Sequence, residues 1–269
     1  MALVTGASRG IGAAIAVRLA TEGAAVAVTA RTLHAGGTAM GGSLHETIEE
    51  IERVGGQGVP VAADLANPRA VARIIPEVEN ALGPVDVLIN NAGIAMYQPI
   101  AELTSDHLQR LMQINYLAPV ELARDVLSGM RERRRGWIVN ISSVVAGHVG
   151  TAPFDEVAPL FRVGWHYGAT KAALERFTTG LASEVYGDCV AVNALLPVAG
   201  VSTPGYSELA SRVTARGDLL EPIEQMAEAA YLLASADPRR LTGRIFTSAG
   251  VLTEFGVEVK SLDGSSLPP

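Results

Sequence analysis

The chain has 269 residues and is 48% hydrophobic, enough to bury a large core, and its length suits a single α/β domain. With 28 acidic against 21 basic residues the formal net charge is -7, which speaks against a nucleic-acid surface. One cysteine, Cys189, excludes an internal disulfide; no apolar stretch approaches membrane-spanning length, and a chain that enters its first strand at once is expected to be cytoplasmic, with no membrane partner.

Ala2-Leu3-Val4 predicts a first strand, Thr5 to Gly12 a turn, and the Ala-rich run from Ala13 a helix. Gly6, Gly10 and Gly12 are what a phosphate-binding turn needs. Its backbone must reach positive φ and let a pyrophosphate approach a helix N-terminus with no Cβ in the way. Ser8, Arg9 and Ile11 complete it. Ala25 to Ala30 is a small, β-branched run expected to be a parallel strand covered on both faces, and it ends on Arg31-Thr32. A site built for a free ribose offers an acid at that point. A guanidinium and a hydroxyl, with Arg9 nearby, suit a 2′-phosphate instead, so NADP(H) is preferred and NAD(H) is the alternative.

Residues 33–43 carry four glycines without periodicity and are expected to form a mobile loop. Its His34, and His45 beyond it, have no metal-like companions, and no metal is expected. Leu44 to Val54 predicts a helix and Gly58 to Ala63 a third strand, closing on Asp64-Leu65. Asp64, at the carboxyl end of a parallel strand, is placed to accept a hydrogen bond from an adenine amino group or to serve as a turn acid. Pro68 to Leu82 is a helix and Val85 to Ile89 a fourth strand, followed by Asn90-Asn91-Ala92-Gly93. These small residues let a ribose lie against the backbone, while the asparagines can tie neighbouring strands together. Fourfold β-then-α alternation predicts a doubly wound parallel sheet.

Thr104 caps a long amphipathic helix that contains Pro119. The proline donates nothing to the carbonyl of Asn115, so a bend is expected, with a carbonyl free to hold a water. Trp137 to Ile141 is a fifth strand that delivers Ser142-Ser143, and residues 144–163 are expected to be irregular, over the ligand-binding edge. A helix from Trp165 to about Tyr186 carries Tyr167 and Lys171. Val190 to Leu196 is a sixth strand, Pro197 to Gly205 a loop, residues from Thr203 to about 217 a partly helical lid, Glu221 to Ala234 a helix, and Arg244 to Thr247 a last strand. One domain is expected over residues 1–256, with a frayed tail at 257–269.

Tyr167 and Lys171, four apart on a helix, share a face about 6 Å apart along the axis. A phenol with a pKa of about 10 needs roughly 4 kcal/mol of preferential phenolate stabilisation to exchange protons readily at neutral pH. A nearby ammonium in a partly dry site is a means of supplying it. Ser143 can hydrogen-bond a substrate oxygen, and Asn115 can anchor a water relaying protons to Lys171. Ser, Tyr, Lys and the glycine turn all fall at one edge of one sheet.

With these residues the chain resembles the classical short-chain dehydrogenases/reductases over essentially its whole length. The motifs are TGASRGIG at 5–12, DL at 64–65, NNAG at 90–93, Asn115 in QINYLAP, Ser143 in VNISS, YGATK at 167–171 and VNALLPVAGVSTPG at 192–205. The resemblance implies a Rossmann-type, doubly wound, seven-stranded parallel sheet with helices on both faces. It also implies Tyr167 as general acid/base, Lys171 lowering its pKa and holding the nicotinamide ribose, Ser143 orienting substrate, and Asn115 in a proton relay. Gly6, Ser8, Arg9, Ile11, Gly12, Arg31, Thr32, Asp64, Leu65, Asn91, Ala92, Gly93, Pro197, Val201 and Thr203 would contact cofactor, with Pro197 to Thr203 at the nicotinamide amide. A homodimer or homotetramer through the long helices is implied as well.

Three departures stand out. The interval between Ser143 and Tyr167 is long for the family, so 147–163 is expected to reshape the substrate mouth; Val198 replaces the usual glycine; and Gly36 to Gly42 lengthens the loop beside the 2′-phosphate site. The expected activity is NADP-dependent hydride transfer between the nicotinamide and a small-molecule ketone or secondary alcohol. A dehydratase or epimerase of the same fold is an alternative, disfavoured by the intact Ser, Tyr, Lys and Asn; a cofactor-sensing protein is another.

Overall fold

Strand β1 (Ala2–Thr5) is buried along its whole length, as a strand covered on both faces requires. It pairs in parallel with β2 (Ala25–Ala30) on one side and β4 (Val87–Asn90) on the other, Val4 facing Val28 and Ile89. The computed structural model describes residues 1–36, 41–155, 157, 159–203, 206 and 220–267. In it, β3 (Gln57–Ala62), β5 (Gly136–Ile141), β6 (Val190–Leu196) and β9 (Ile245–Thr247) complete a seven-stranded parallel sheet of order β3-β2-β1-β4-β5-β6-β9. Pro60 is tolerated in β3 because that strand lies at the sheet edge, where a missing N–H costs no ladder bond.

Helices cover both faces, as expected. On one side α1 (Gly10–Thr21), α2 (Leu44–Arg53), α8 (Ile223–Ser235) and α9 (Ser248–Phe255) bury Ile15, Ile51, Met226 and Leu252. On the other, α3 (Pro68–Leu82), α5 (Ala118–Arg133) and α7 (Trp165–Val185) bury Ile74, Leu122 and Val185. The strand order reverses between β1 and β4. A parallel sheet opens a crevice at such a point, at the carboxyl ends of its strands.

Just before Pro119, where the sequence predicts a bend, the helix passes through a π-helical turn. Helix α4 (Ser105–Met112), capped by the Thr104 hydroxyl, passes through Gln113–Leu117 into α5, and the Ala118 N–H donates to the carbonyl of Gln113, five residues back. Three features differ from expectation. The fourth strand begins at Val87, because Asp86 is turned to hold the N-terminal amine of Met1 at 2.9 Å. A second, two-stranded parallel sheet joins β7 (Gly200–Val201) to β8 (Leu220–Glu221). And the segment beyond Gly256 does not fray through residue 267: Val257, Val259 and Leu262 pack on the core, Thr21 donates to the carbonyl of Leu262 at 2.8 Å, and Lys260 bridges to Ser266. These three apolar side chains supply that anchorage.

Within 147–163, α6 (Pro159–Val163) brings Arg162 back to the carbonyls of Phe154, Asp155 and Val157, at 2.7, 2.9 and 2.9 Å, so a side chain supplies hydrogen bonds the backbone lacks. The expected lid at 203–217 lies almost wholly outside the described residues, as do 37–40 of the first loop. Among the described residues no helix is long and apolar enough to cross a membrane, and no group of acids, histidines and cysteines is arranged to hold a metal.

Candidate active site

At the end of β1 the chain turns through Gly6 (φ 66°) and Gly10 (φ 56°), backbone angles that favour glycine. A Cβ on Gly6 would lie 2.7 Å from the Cα of Ala92, and one on Gly12 would lie 2.4 Å from Asn91 Nδ2 and 2.5 Å from the Gly6 carbonyl oxygen. Asn91 is the brace: its Nδ2 donates to the carbonyls of Thr5 and Gly6 at 2.8 and 3.2 Å, while Thr5 Oγ1 accepts from the N–H groups of Asn91 and Ala92, both at 3.0 Å. Asn90 performs the strand-tying role, donating to Asn140 at 2.8 Å, and Asn140 donates to Thr178 at 2.9 Å. No side chain caps the N-terminus of α1, so its first N–H groups are left for a ligand.

Above this turn lies a cleft of about 320 Å³. It is lined by Gly6, Ser8, Arg9, Ile11, Gly12, Arg31, Thr32, Asp64, Leu65, Asn91, Ala92, Gly93 and Thr203, together with Gly10, Thr29 and Ile114 among others. The loop after β2 closes on it: Gly42 packs so tightly on Ser8 that a Cβ would come within 2.5 Å of the Ser8 carbonyl, and Arg9 donates to the carbonyl of Gly41. Arg31 is exposed at the rim, and Asp64 accepts from the Ala66 N–H at 3.0 Å, capping its own turn. A bare backbone against Ala92, an uncapped helix end and two arginines at one rim fit a phosphorylated dinucleotide.

Ser143, Tyr167, Lys171 and Asn115 gather at the other end. Lys171 is 3% exposed and donates from Nζ to the carbonyl of Ile141 at 2.7 Å, 5.9 Å from the centre of the Tyr167 ring. A Cβ on Gly93 would stand 3.4 Å from Asn115 Oδ1 and 3.5 Å from Lys171 Nζ, so glycine keeps the cleft continuous with this cluster. The Asn115 side chain is fully engaged: Oδ1 accepts from the Ile94 N–H at 2.9 Å, and Nδ2 donates to the Ile94 carbonyl at 2.9 Å and to Thr170 Oγ1 at 3.0 Å. It therefore joins the cleft wall to α7. Val201 lies in the core, 5% exposed, and Pro197 is half-buried at the end of β6.

The electrostatics depart from the expected lysine-lowered tyrosine. Burial pushes the Tyr167 phenol up, and the hydrogen bond with Ser143 only partly opposes it. The Lys171 ammonium is directed at the Ile141 carbonyl, and burial lowers its own pKa to about 8, against the attraction of Glu175. The resting site thus holds a neutral phenol.

Three neighbours were not identified from the sequence. Tyr97 packs edge-on to Tyr167, ring centres 6.1 Å apart, on a segment without a motif. Thr170 and Glu175 were legible in principle, being three after Tyr167 and four after Lys171 on one helix. Glu175 accepts from Ser142 Oγ at 2.6 Å, and burial raises its pKa.

A parallel sheet with its crevice at the switch point and a glycine turn beneath it defines the class of α/β dinucleotide-binding proteins. Within that class, the short chain dehydrogenase family profile matches residues 1–213, and the chain belongs to this family of oxidoreductases. The 3-oxoacyl-[acyl-carrier-protein] reductase FabG of Pseudomonas aeruginosa is 34% identical over 250 residues, 90% of this chain and 93% of that protein. Among solved structures, a 3-oxoacyl (acyl-carrier-protein) reductase from Agrobacterium tumefaciens with NADP bound matches with a TM-score of 0.76 and 29% identity, over 91% of each chain. The L-sorbose reductase of Gluconobacter frateurii, complexed with NADPH and L-sorbose, matches with a TM-score of 0.77 and 29% identity, over 91% of this chain and 93% of that one.

Proposed function

We propose that the protein is an NADP(H)-dependent oxidoreductase that interconverts a carbonyl and a secondary alcohol, with Tyr167 as the proton-transfer group. The observation that carries this reading is the placing of buried Lys171, 5.9 Å from the centre of the Tyr167 ring, at the end of a glycine-floored cleft that reaches it past Gly93. The bound nicotinamide supplies the hydride in reduction and accepts it in oxidation.

Each residue has a task of its own. The α1 N-terminus and the Gly6–Gly12 turn hold the pyrophosphate, Arg9, Arg31 and Thr32 the 2′-phosphate, and Asp64 and Leu65 the adenine end. Asn91, Ala92 and Gly93 offer bare backbone to the ribose nearer the reacting end, where Lys171 donates to its hydroxyls. Pro197 bounds the nicotinamide, Val201 anchors the segment that follows it in the core, and Thr203 closes over the phosphate turn. Ser143 donates to the substrate oxygen and fixes it beside Tyr167. A phenol held neutral by burial is the form reduction needs, since it carries the proton passed to the developing alkoxide. Lys171 then steadies the phenolate left behind, and Asn115 and its neighbouring backbone hold the water that returns the proton. In oxidation the phenolate form of Tyr167 accepts the alcohol's proton, so that direction needs higher pH.

Homologues bound to NADP or NADPH support the cofactor choice, and their substrates, a 3-oxoacyl chain and a ketose, support a carbonyl substrate. Exposed Leu108, Met112 and Leu117 on the α4–π-turn run support assembly into a homodimer or homotetramer, as an apolar strip there would be covered. The direct test is NADPH consumption with a ketone panel that includes a ketose and a 3-oxoacyl thioester. Turnover with at least one is expected; NADPH binding without turnover across a broad panel would point to a cofactor sensor.

A further inference from the structure

The segment from Pro197 to Thr203 spans the cleft. It leaves β6 beside the reacting end, where the carbonyl of Leu195 accepts from the Ser142 N–H at 2.7 Å. It reaches the phosphate end at Thr203, which lines the cleft and would stand 3.3 Å from a Cβ on Gly10. A strap so placed governs how a dinucleotide lies beneath it.

Both ends of the strap are tied by one residue, Glu221. Its Oε2 accepts from the Val198 N–H at 2.7 Å, and its carbonyl accepts from the Ser202 N–H at 3.4 Å, in the small β7–β8 sheet. Glu221 is 3% exposed, and its Oε1 is buried with no hydrogen-bond partner among the described residues. A half-satisfied buried carboxylate lowers stability, and an apolar side chain would fill the same space without that penalty. Local physics is broken in this way where function requires it. The short contact to Val198 shows what is gained: a charge-assisted hydrogen bond, stronger and more directional than a neutral one, on the residue that follows Pro197.

We propose that Glu221 is a positioning residue that holds the Pro197–Thr203 strap in its cofactor-competent form and so acts on the nicotinamide half of the bound cofactor. This rests on the reading of the cleft as an NADP(H) site. When the tie is lost, the strap samples other conformations and apparent affinity falls by the fraction of time it is correctly placed. The adenosine half feels this little, because the strap meets it only through Thr203 and the other residues at that end are held by Asn91 and the loop after β2.

Calorimetric titration of the full-length protein with NADPH and with 2′,5′-ADP, which lacks the nicotinamide, separates the halves. Glu221→Ala is expected to weaken NADPH about tenfold, as loss of one charge-assisted hydrogen bond implies, and to leave 2′,5′-ADP within about twofold. Glu221→Gln, which keeps an acceptor for Val198, restores NADPH affinity to within about threefold of wild type. Unchanged NADPH affinity in Glu221→Ala, equal losses for both ligands, or a Gln variant no better than Ala would each overturn the proposal. A wild type that binds 2′,5′-ADP but not NADPH, or neither, would instead remove the cofactor reading beneath it, and the proposal with it.

Discussion

Gly12→Ala is a single-methyl test of how closely the turn and its brace approach. The new Cβ would sit 2.4 Å from Asn91 Nδ2 and 2.5 Å from the Gly6 carbonyl oxygen, so Asn91 and the turn must part by roughly an ångström to reach ordinary contact. That separation weakens the two Asn91 hydrogen bonds to Thr5 and Gly6, at about 1 kcal/mol each, and adds about 1–3 kcal/mol of overpacking. Replacing a helical glycine by alanine returns about 1 kcal/mol. The net loss is about 2–4 kcal/mol, a fall in melting temperature of about 4–16 °C for a chain of this size. NADPH affinity should drop about tenfold or more, as at least one backbone N–H leaves the pyrophosphate. Thermal melting and calorimetric titration read the two effects. Gly187→Ala, where nothing lies within 4 Å of the added methyl, serves as the control and should change neither. A Gly12→Ala protein with wild-type melting and wild-type NADPH affinity would refute the close-approach argument.

Arg31→Ala should weaken NADPH about tenfold or more and leave NADH nearly unchanged, since an exposed guanidinium at the rim meets only the 2′-phosphate; equal losses would show a role in the fold alone. Lys171→Met should raise stability at pH 7 while abolishing turnover. Burial lowers the folded pKa from 10.5 to about 8, so below pH 8 the wild type carries the full penalty of a buried charge. At 1.4 kcal/mol per pKa unit that penalty is about 3 kcal/mol, of which about 1 is offset by the bond to Ile141. As pH rises from 8 toward 10.5 the folded lysine is neutral while the unfolded one still binds a proton, so the variant's advantage fades. Urea melts at pH 7 and pH 10 check this, and a variant less stable than wild type at pH 7 would contradict it.

What the sequence disclosed and what it concealed follow different rules. The helix Pro68–Leu82 and the strand Val190–Leu196 were legible to the residue because each is a periodic run bounded by turn residues. The β7–β8 pair has two residues per strand, too few for any period, and its partners are about 20 residues apart. The tail's anchorage depends on Thr21 meeting Leu262, a contact between the chain's two ends that local pattern cannot express. At the site, helical spacing places Tyr167 and Lys171 on one face, but not the direction of Nζ. That direction is decided by the Ile141 carbonyl on another element, and the burial that raises the tyrosine is likewise a tertiary property. The same limit hid Tyr97 and Glu221, which reach the site through tertiary contacts alone.

The central claim is that Tyr167 moves the proton while the cleft independently holds the cofactor. Single-turnover oxidation of bound NADPH by a substrate ketone, in wild type and Tyr167→Phe, with NADPH affinity titrated for both, tests it most directly. The account predicts that the phenylalanine variant binds NADPH within a few fold of wild type and loses at least about a thousandfold in rate, the upper part of what a positioned acid contributes. A variant that retains a tenth of the wild-type rate at full NADPH occupancy would contradict it.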